Sequence, residues 1–300
     1  MNLFLGSERD SNRAQRKRAF LLGTDISKSI SPSIQNAAFD RLRINANYEL
    51  QDLTRRQLRY FIGQLAKYPN ILGFNVTSPF KEEIIALLSS LDSRSKLIGA
   101  VNTVRISKIG ETRGFNTDYD GVIATLNKFG LKSSRRKKGA TVIGAGGAAR
   151  ACILALLDRG YTNLTILNRT VQKAVIISKQ FVFQFPNTEM VVAPLTKQSF
   201  PKSLENCGIV INAISNSTPN YFPVELDFSL ADKSTKFFDL GYKQDSLFLK
   251  TARHNRFEVM NGLLMLVVQA AKSFEIWTGK EAPVRTMMLA AKNALKQSTY

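Results

Sequence analysis

The chain has 300 residues, 44% of them hydrophobic, enough for two modest cores, and its longest apolar run, Gly262 to Val268, is far too short to cross a bilayer. Its 42 basic and 23 acidic side chains give a formal charge of +19, which favours anionic partners. The two cysteines, Cys152 and Cys207, and the single histidine, His254, cannot assemble a Cys/His zinc site and make a Ser-His-Asp triad hard to build, so no metal is expected and the chemistry must come from lysine, aspartate or a cofactor.

The basic runs at Arg16-Lys17-Arg18, Arg55-Arg56 and Arg135-Arg136-Lys137-Lys138 are scattered and no nucleic-acid motif accompanies them, so a solvated basic surface and no specific nucleic acid are expected. Residues 1–19 are polar, Arg-rich and aperiodic and read as a mobile basic arm; a targeting segment is the weaker reading, complicated by Glu8 and Asp10. No basic cap followed by an apolar stretch opens the chain, so neither export nor membrane insertion is indicated and a cytoplasmic protein is expected.

A short strand is predicted over Ala19–Leu22 and a helix from Pro32 to Leu42, with the proline near its first turn. A second strand lies around Tyr48–Leu50, an amphipathic helix over Thr54–Leu65 and a third strand over Ile71–Val76, with a further helix beginning near Lys81. Between the last two stands Asn75-Val-Thr-Ser-Pro-Phe-Lys81. Pro79 biases Ser78 towards an extended conformation, which places Thr77 and Lys81 at a strand-to-helix corner of the kind on which small-molecule sites are built. Strands at Asn102–Ile106 and Glu111–Phe115 flank a turn and lead into Asn116-Thr117-Asp118, and a helix over Tyr119–Phe129 ends at Gly130. Asp120 reads as an ordinary acidic residue of that helix's first turn.

After a basic linker the chain changes character. Ala140–Arg150 is a buried-strand pattern running into a glycine-rich turn and a helix through Leu157, with further strands at Thr165–Thr170, Ile209–Ala213 and Lys236–Leu240. The repetition implies an α/β fold with a parallel, doubly wound sheet in this half. The last forty or so residues are mainly helical and return to the first half, so the expected domains are a substrate domain over 20–119 plus 262–300 and a dinucleotide domain over 120–261 with a cleft between them.

Gly144, Gly146 and Gly147 follow a strand and open a helix, so their amides can approach a pyrophosphate; Ala149 takes the third glycine's place. The next strand ends in Asn168-Arg169-Thr170, with Lys173 one turn further on, instead of the Asp or Glu that holds the ribose hydroxyls of NAD. Two cations suit a 2′-phosphate, so NADP is the expected cofactor.

Taken in order from Phe20 to about Gly279, these motifs resemble the shikimate dehydrogenase family: Ser29-Ile-Ser-Pro32, Asn75 to Lys81, Ala100 to Thr103, Asn116 to Asp118, the glycine turn with Asn168-Arg169-Thr170, Asp239 to Tyr242, and Met265 to Gln269. The resemblance implies an NADP-dependent oxidoreductase acting on a CH–OH group, reversibly reducing 3-dehydroshikimate to shikimate in the route to chorismate and the aromatic amino acids. It implies Lys81 and Asp118 as the catalytic pair, and Ser29, Ser31, Thr77, Asn102, Tyr242 and Gln269 around the substrate. It also implies Gly144, Ala145, Gly146, Gly147, Ala148, Asn168, Arg169, Thr170, Lys173, Leu240 and Gly262 around NADP(H), in a monomer or homodimer.

Physical chemistry supports the pair without the resemblance: a carbonyl accepting hydride gains oxyanion character, which an ammonium stabilises and protonates while a carboxylate orients it. Each substrate residue also has a plainer reading. Ser29 and Ser31 are candidates to cap the helix at Pro32, Asn102 to close a turn and Gln269 to be a satisfied polar group on an apolar helix. The chain departs from the family at Lys28 and Gln35 (commonly histidine), Ser78 (commonly apolar), Ile214 and Leu247 (commonly threonine), and Ser217 and Leu264 (commonly small). Three alternatives stand beside the leading expectation: a dehydrogenase that also oxidises quinate or uses NAD, a non-catalytic dinucleotide-binding sensor and, on charge alone, a basic nucleic-acid-binding protein.

Overall fold

The computed structural model describes residues 16–65, 68–131, 138–214, 221–243 and 245–297. Residues 1–15 of the expected arm, Arg135 to Lys137 of the basic run and Ser217 lie outside them. The chain divides into two compact units, Met1–Thr117 with Val267–Tyr300, and Asp118–Leu266.

The first unit opens with β1 (Lys17–Gly23), which starts two residues ahead of the expected Ala19 because it pairs along its whole length with β2 (Ala46–Asp52), where Arg18 meets Glu49 at 2.7 Å. Helix α1 (Ser31–Arg41) connects them, with Pro32 in its first turn, where a missing N–H costs nothing. Helix α2 (Arg55–Gln64) begins at a reciprocal Thr54/Gln57 capping box and buries Leu58 and Phe61. Strand β3 (Ile71–Val76) lies beside β1, and β5 (Thr103–Ile106) and β6 (Thr112–Phe115) form the expected hairpin.

Beyond β3 the expectation of a helix near Lys81 is corrected: residues 83–87 form a 3-10 helix, and Leu88 is already extended. Only a short segment separates the buried anchor Phe80 from the short strand β4 (Ser90–Leu91), which pairs with β6, and a tight turn of this kind is what 3-10 geometry supplies. A short helix α3 (Ser93–Ile98), absent from the expected elements, is capped by the Asp92 side chain and ends at left-handed Gly99. The sheet order is β2-β1-β3-β5-β6-β4, and Phe20, Phe61, Phe74, Val76, Phe80 and Ile84 fill its core.

The second unit opens with α4 (Asp118–Lys128), followed by β7 (Gly139–Ile143), α5 (Gly147–Asp158), β8 (Asn163–Asn168), α6 (Val171–Gln184), β9 (Glu189–Pro194) and the one-turn helix α7 (Ser199–Lys202). Then come β10 (Cys207–Asn212), β11 (Lys236–Asp239), α8 (Leu247–His254) and β12 (Glu258–Met260). All strand pairs are parallel, in the order β12-β11-β10-β7-β8-β9. The order reverses between β7 and β10, the switch point at which doubly wound sheets bind ligands. A phenylalanine cluster packs against this sheet, with the Phe228 and Phe237 rings 5.0 Å apart edge to face.

Helix α9 (Leu263–Thr278) starts in the second unit and continues into the first, where α10 (Val284–Gln297) packs on α1. No helix among the described residues is long and apolar enough to cross a membrane, and none of their acidic, cysteine or histidine side chains forms a metal-sized cluster.

Candidate active site

In the first unit, the corner after β3 is held by its own backbone. The Thr77 amide donates to Leu22 O at 2.9 Å and the Phe80 amide to Thr77 O at 3.0 Å, and the Ser78–Pro79 peptide is cis. Phe80 is buried, and the Lys81 carbonyl accepts from Val101 N at 2.7 Å. The backbone on both sides of Lys81 is therefore fixed to core and sheet, and its side chain is half-buried.

Behind this corner lies a buried polar network. Asn75 accepts from Tyr48 Oη at 2.8 Å, and its Nδ2 donates to Ser273 Oγ at 2.9 Å, Thr103 Oγ1 at 3.0 Å and Asn102 O at 3.1 Å. Burial pushes the Tyr48 phenol well above its ordinary value, so it serves as a donor. Asn102 Oδ1 accepts from the Thr117 amide at 2.7 Å, and Asn102 Nδ2 reaches Thr117 Oγ1 at 3.0 Å and Gln269 Oε1 at 3.4 Å. The structure thus brings the expected residues Asn102 and Gln269 together through hydrogen bonds, and Asn102 does more than close a turn. Tyr48, Thr103, Thr117 and Ser273 complete the cluster and were not among the expected site residues; the signal available for Ser273 was its position one helical turn after Gln269.

Ser29 and Ser31 lie at the entrance to α1. Ser29 Oγ donates to Ser31 Oγ at 3.1 Å and accepts from the Ser31 amide at 3.3 Å, yet neither hydroxyl caps the helix. Pro32 has no N–H, the Ser31 amide is taken by Ser29 Oγ and the Ile34 amide bonds Ile30 O, so the two serine hydroxyls are the main polar groups that this helix start presents. Lys28 is exposed, whereas Gln35 is fully buried, donating to Ala270 O at 2.9 Å with its Oε1 buried and without a hydrogen-bond partner.

Asp118 belongs to the second unit, as the buried first residue of α4, which is fastened to α5 by Tyr119 Oη donating to Asp158 at 2.8 Å. Lys81 belongs to the first unit. Asp120 sits in the first turn of α4, as expected of an ordinary acidic residue.

The dinucleotide residues are all in the second unit. Gly144 follows β7 with φ +117°, and a side chain there would stand 3.1 Å from the backbone of Ala213, so the turn at the switch point admits only glycine. Gly146 is the N-cap of α5 with no side-chain cap and open space where a Cβ would lie, and Ala145, Gly147 and Ala148 continue the turn into the helix. An uncapped helix start with an unobstructed backbone is a cradle for phosphate. At the end of β8, Asn168 Nδ2 donates to Thr170 O at 2.9 Å, and Arg169, Thr170 and Lys173 are exposed. Two cations and no carboxylate at this edge fit a 2′-phosphate.

Beyond the switch point, Asp239 is buried at the end of β11 and accepts from Ser246 Oγ at 2.6 Å, Gly241 N at 2.7 Å and Asn212 Nδ2 at 2.9 Å. Burial raises its carboxyl above the ordinary value, and these hydrogen bonds pull it partly back. Tyr242 is half-buried in the loop that Asp239 organises, and Gly262 packs against Leu240. Among the departures, Ile214 has its amide fixed to Asn212 Oδ1 at 3.2 Å, Leu264 lies in the first turn of α9, and Leu247 opens α8.

Fold and site define the class: a two-unit α/β chain of the dinucleotide-dependent dehydrogenase type. Comparison with known proteins is specific. The family model of the shikimate dehydrogenase substrate binding domain matches residues 21–104, that of shikimate / quinate 5-dehydrogenase residues 126–243, and that of the shikimate 5'-dehydrogenase C-terminal domain residues 262–292. The NADP-dependent shikimate dehydrogenase of Methanococcus maripaludis is 36% identical over 280 residues, covering 92% of this chain and 96% of the relative. That of Nitrosopumilus maritimus is 33% identical, covering 90% and 96%. Among solved structures, shikimate 5-dehydrogenase of Thermus thermophilus in complex with NADP(H) and shikimate superposes with TM-score 0.78 at 30% identity, covering 93% of this chain and 99% of that one. The chain belongs to the shikimate dehydrogenase family.

Proposed function

We propose that the chain reversibly reduces 3-dehydroshikimate to shikimate with NADPH, acting in the cytoplasm on a small-molecule substrate. The observation that carries this is likeness to NADP-dependent shikimate dehydrogenases over most of the chain, reaching 36% identity across 92% of it, in a protein with Lys81 and Asp118 at the family's motif positions.

In this reading the residues divide by role. Ser29 and Ser31 hold the substrate carboxylate, assisted by the general positive field, and Thr77, Asn102, Gln269 and Tyr242 hydrogen-bond its carboxylate and hydroxyls. The Gly144–Ala148 turn receives the pyrophosphate and Asn168 to Lys173 the ribose 2′-phosphate, with Leu240 and Gly262 lining the far side of the switch point. NADPH, when bound, supplies the hydride. As the substrate carbonyl gains that hydride, the Lys81 ammonium stabilises the growing negative charge and delivers the proton that completes the hydroxyl, while Asp118 orients the lysine.

Turnover of shikimate and of quinate, each with NADP and with NAD, tests the assignment. Shikimate with NADP is expected to give the highest kcat/KM. A faster quinate reaction would transfer the assignment to quinate oxidation, an outcome the shikimate / quinate family model makes worth measuring.

A further inference from the structure

We infer that Ser273 is a positioning residue: its buried hydroxyl is the joint through which four separate segments of the substrate site are held in one geometry. Ser273 is completely buried on α9. Its Oγ donates to Gln269 O at 2.9 Å, the back-bond to the preceding turn, which uses its single proton. It therefore acts as acceptor for Asn75 Nδ2 at 2.9 Å, and the hydroxyls of Thr103 at 2.8 Å and Thr117 at 3.2 Å complete its surroundings.

Each contact belongs to a different functional segment. Asn75 is the penultimate residue of β3, just ahead of the corner that carries Thr77 and Lys81. Thr103 follows Asn102, and its one hydroxyl proton has two acceptors within reach, Ser273 Oγ at 2.8 Å and Asn102 Oδ1 at 3.0 Å. Thr117 is the residue before Asp118, and its amide is fixed by the same Asn102 oxygen at 2.7 Å. Gln269 is on the helix of Ser273 itself, and its Oε1 accepts from Asn102. Such a closed set of mutually satisfied groups has few alternative arrangements in a dry interior, because breaking one bond strands its partners. The inference rests on the proposed function for the roles of Lys81, Asp118, Asn102 and Gln269, and on the hydrogen bonds alone for the joint.

Removing the oxygen in Ser273→Ala takes away one of the three acceptors around Asn75 Nδ2 and the group that the Thr103 and Thr117 hydroxyls face, which unties α9 from the other segments. The expected result is a fall in kcat/KM for shikimate of between about tenfold and about a hundredfold, the scale of a sub-ångström to one-ångström misplacement of reacting groups, with KM for NADP unchanged. Ser273→Thr, which restores the oxygen, is expected to recover most of the loss. Amide hydrogen exchange at Thr117, read without ligand, is expected to accelerate in the alanine variant and return towards the wild-type rate in the threonine variant. An alanine variant with wild-type kinetics and wild-type Thr117 protection would overturn the inference, as would a loss spread equally over shikimate and NADP. The exchange measurement decides the joint even if the wild-type protein turned over no shikimate, so the two failures remain distinguishable.

Discussion

A Cβ on residue 262 would stand 2.0 Å from the carbonyl oxygen of Leu240, closer than any real contact, so glycine is the only residue that lets the start of α9 close against the end of β11. The Gly262 amide donates to Gly241 O at 2.8 Å across the same junction. Gly262→Ala is expected to cost about 3 kcal/mol, the range of an overpacked buried site, visible as a lower denaturation midpoint with an unchanged denaturant slope. Unchanged stability would mean that the junction yields.

The catalytic assignment predicts unequal losses. Lys81→Ala is expected to lower kcat by about a hundredfold to ten-thousandfold, the usual contribution of a positioned general acid, and Asp118→Asn by less, since the lysine remains. Neither should change NADP affinity, which fluorescence titration of the reduced cofactor measures. A lysine variant retaining wild-type kcat would remove Lys81 from the chemistry.

Arg169→Ala tests the cofactor edge. A charged hydrogen bond to phosphate is worth about 1.5–3 kcal/mol, so kcat/KM for NADP should fall by about tenfold to a hundredfold while that for NAD stays level. Equal losses for both cofactors would place Arg169 elsewhere than the 2′-phosphate.

Asp239 carries a pH dependence. Because burial raises its carboxyl above the ordinary 3.8, the folded protein holds this proton more tightly than the unfolded chain does. The stability linked to the group is fully present below that ordinary value and is lost as the pH rises through the folded value. Ser246→Ala, which removes the bond of Ser246 Oγ to the charged carboxylate, should move the titration further upward and extend the loss to higher pH. A carbon-detected NMR titration of Asp239 measures it, and a downward shift would contradict the assigned cause.

Local chemistry made much of this molecule legible in its sequence. Gly144, Gly146 and the run from Ala140 announce a strand, turn and helix, because few other local patterns combine a buried strand with glycines before a helix. Pro32 near the start of α1 and the spacing of β5 and β6 were equally readable. Long-range geometry was not. Ser273 meets Asn75 across 198 positions, and a serine on an apolar helix looks the same in sequence whether it back-bonds alone or joins a network. The 3-10 helix after Lys81 escaped for a related reason: Glu82–Ile85 has helical character, but the buried positions of Phe80 and Ile84 and the pairing of β4 with β6 leave too little chain for an α-helix. The end of β8 lay between these cases. Its missing carboxylate was plain from Asn168-Arg169, whereas the fold of Asn168 back onto Thr170 O appears only in three dimensions.

The most direct measurement is the absorbance of the reduced nicotinamide band when the full chain is mixed with 3-dehydroshikimate and NADPH, followed by chromatographic quantification of shikimate. Loss of absorbance with one shikimate formed per NADPH consumed, slowed by about a hundredfold or more in Lys81→Ala, is the predicted result. NADPH binding without oxidation, in a folded protein supplied with substrate, would contradict it and leave the chain a dinucleotide-binding sensor.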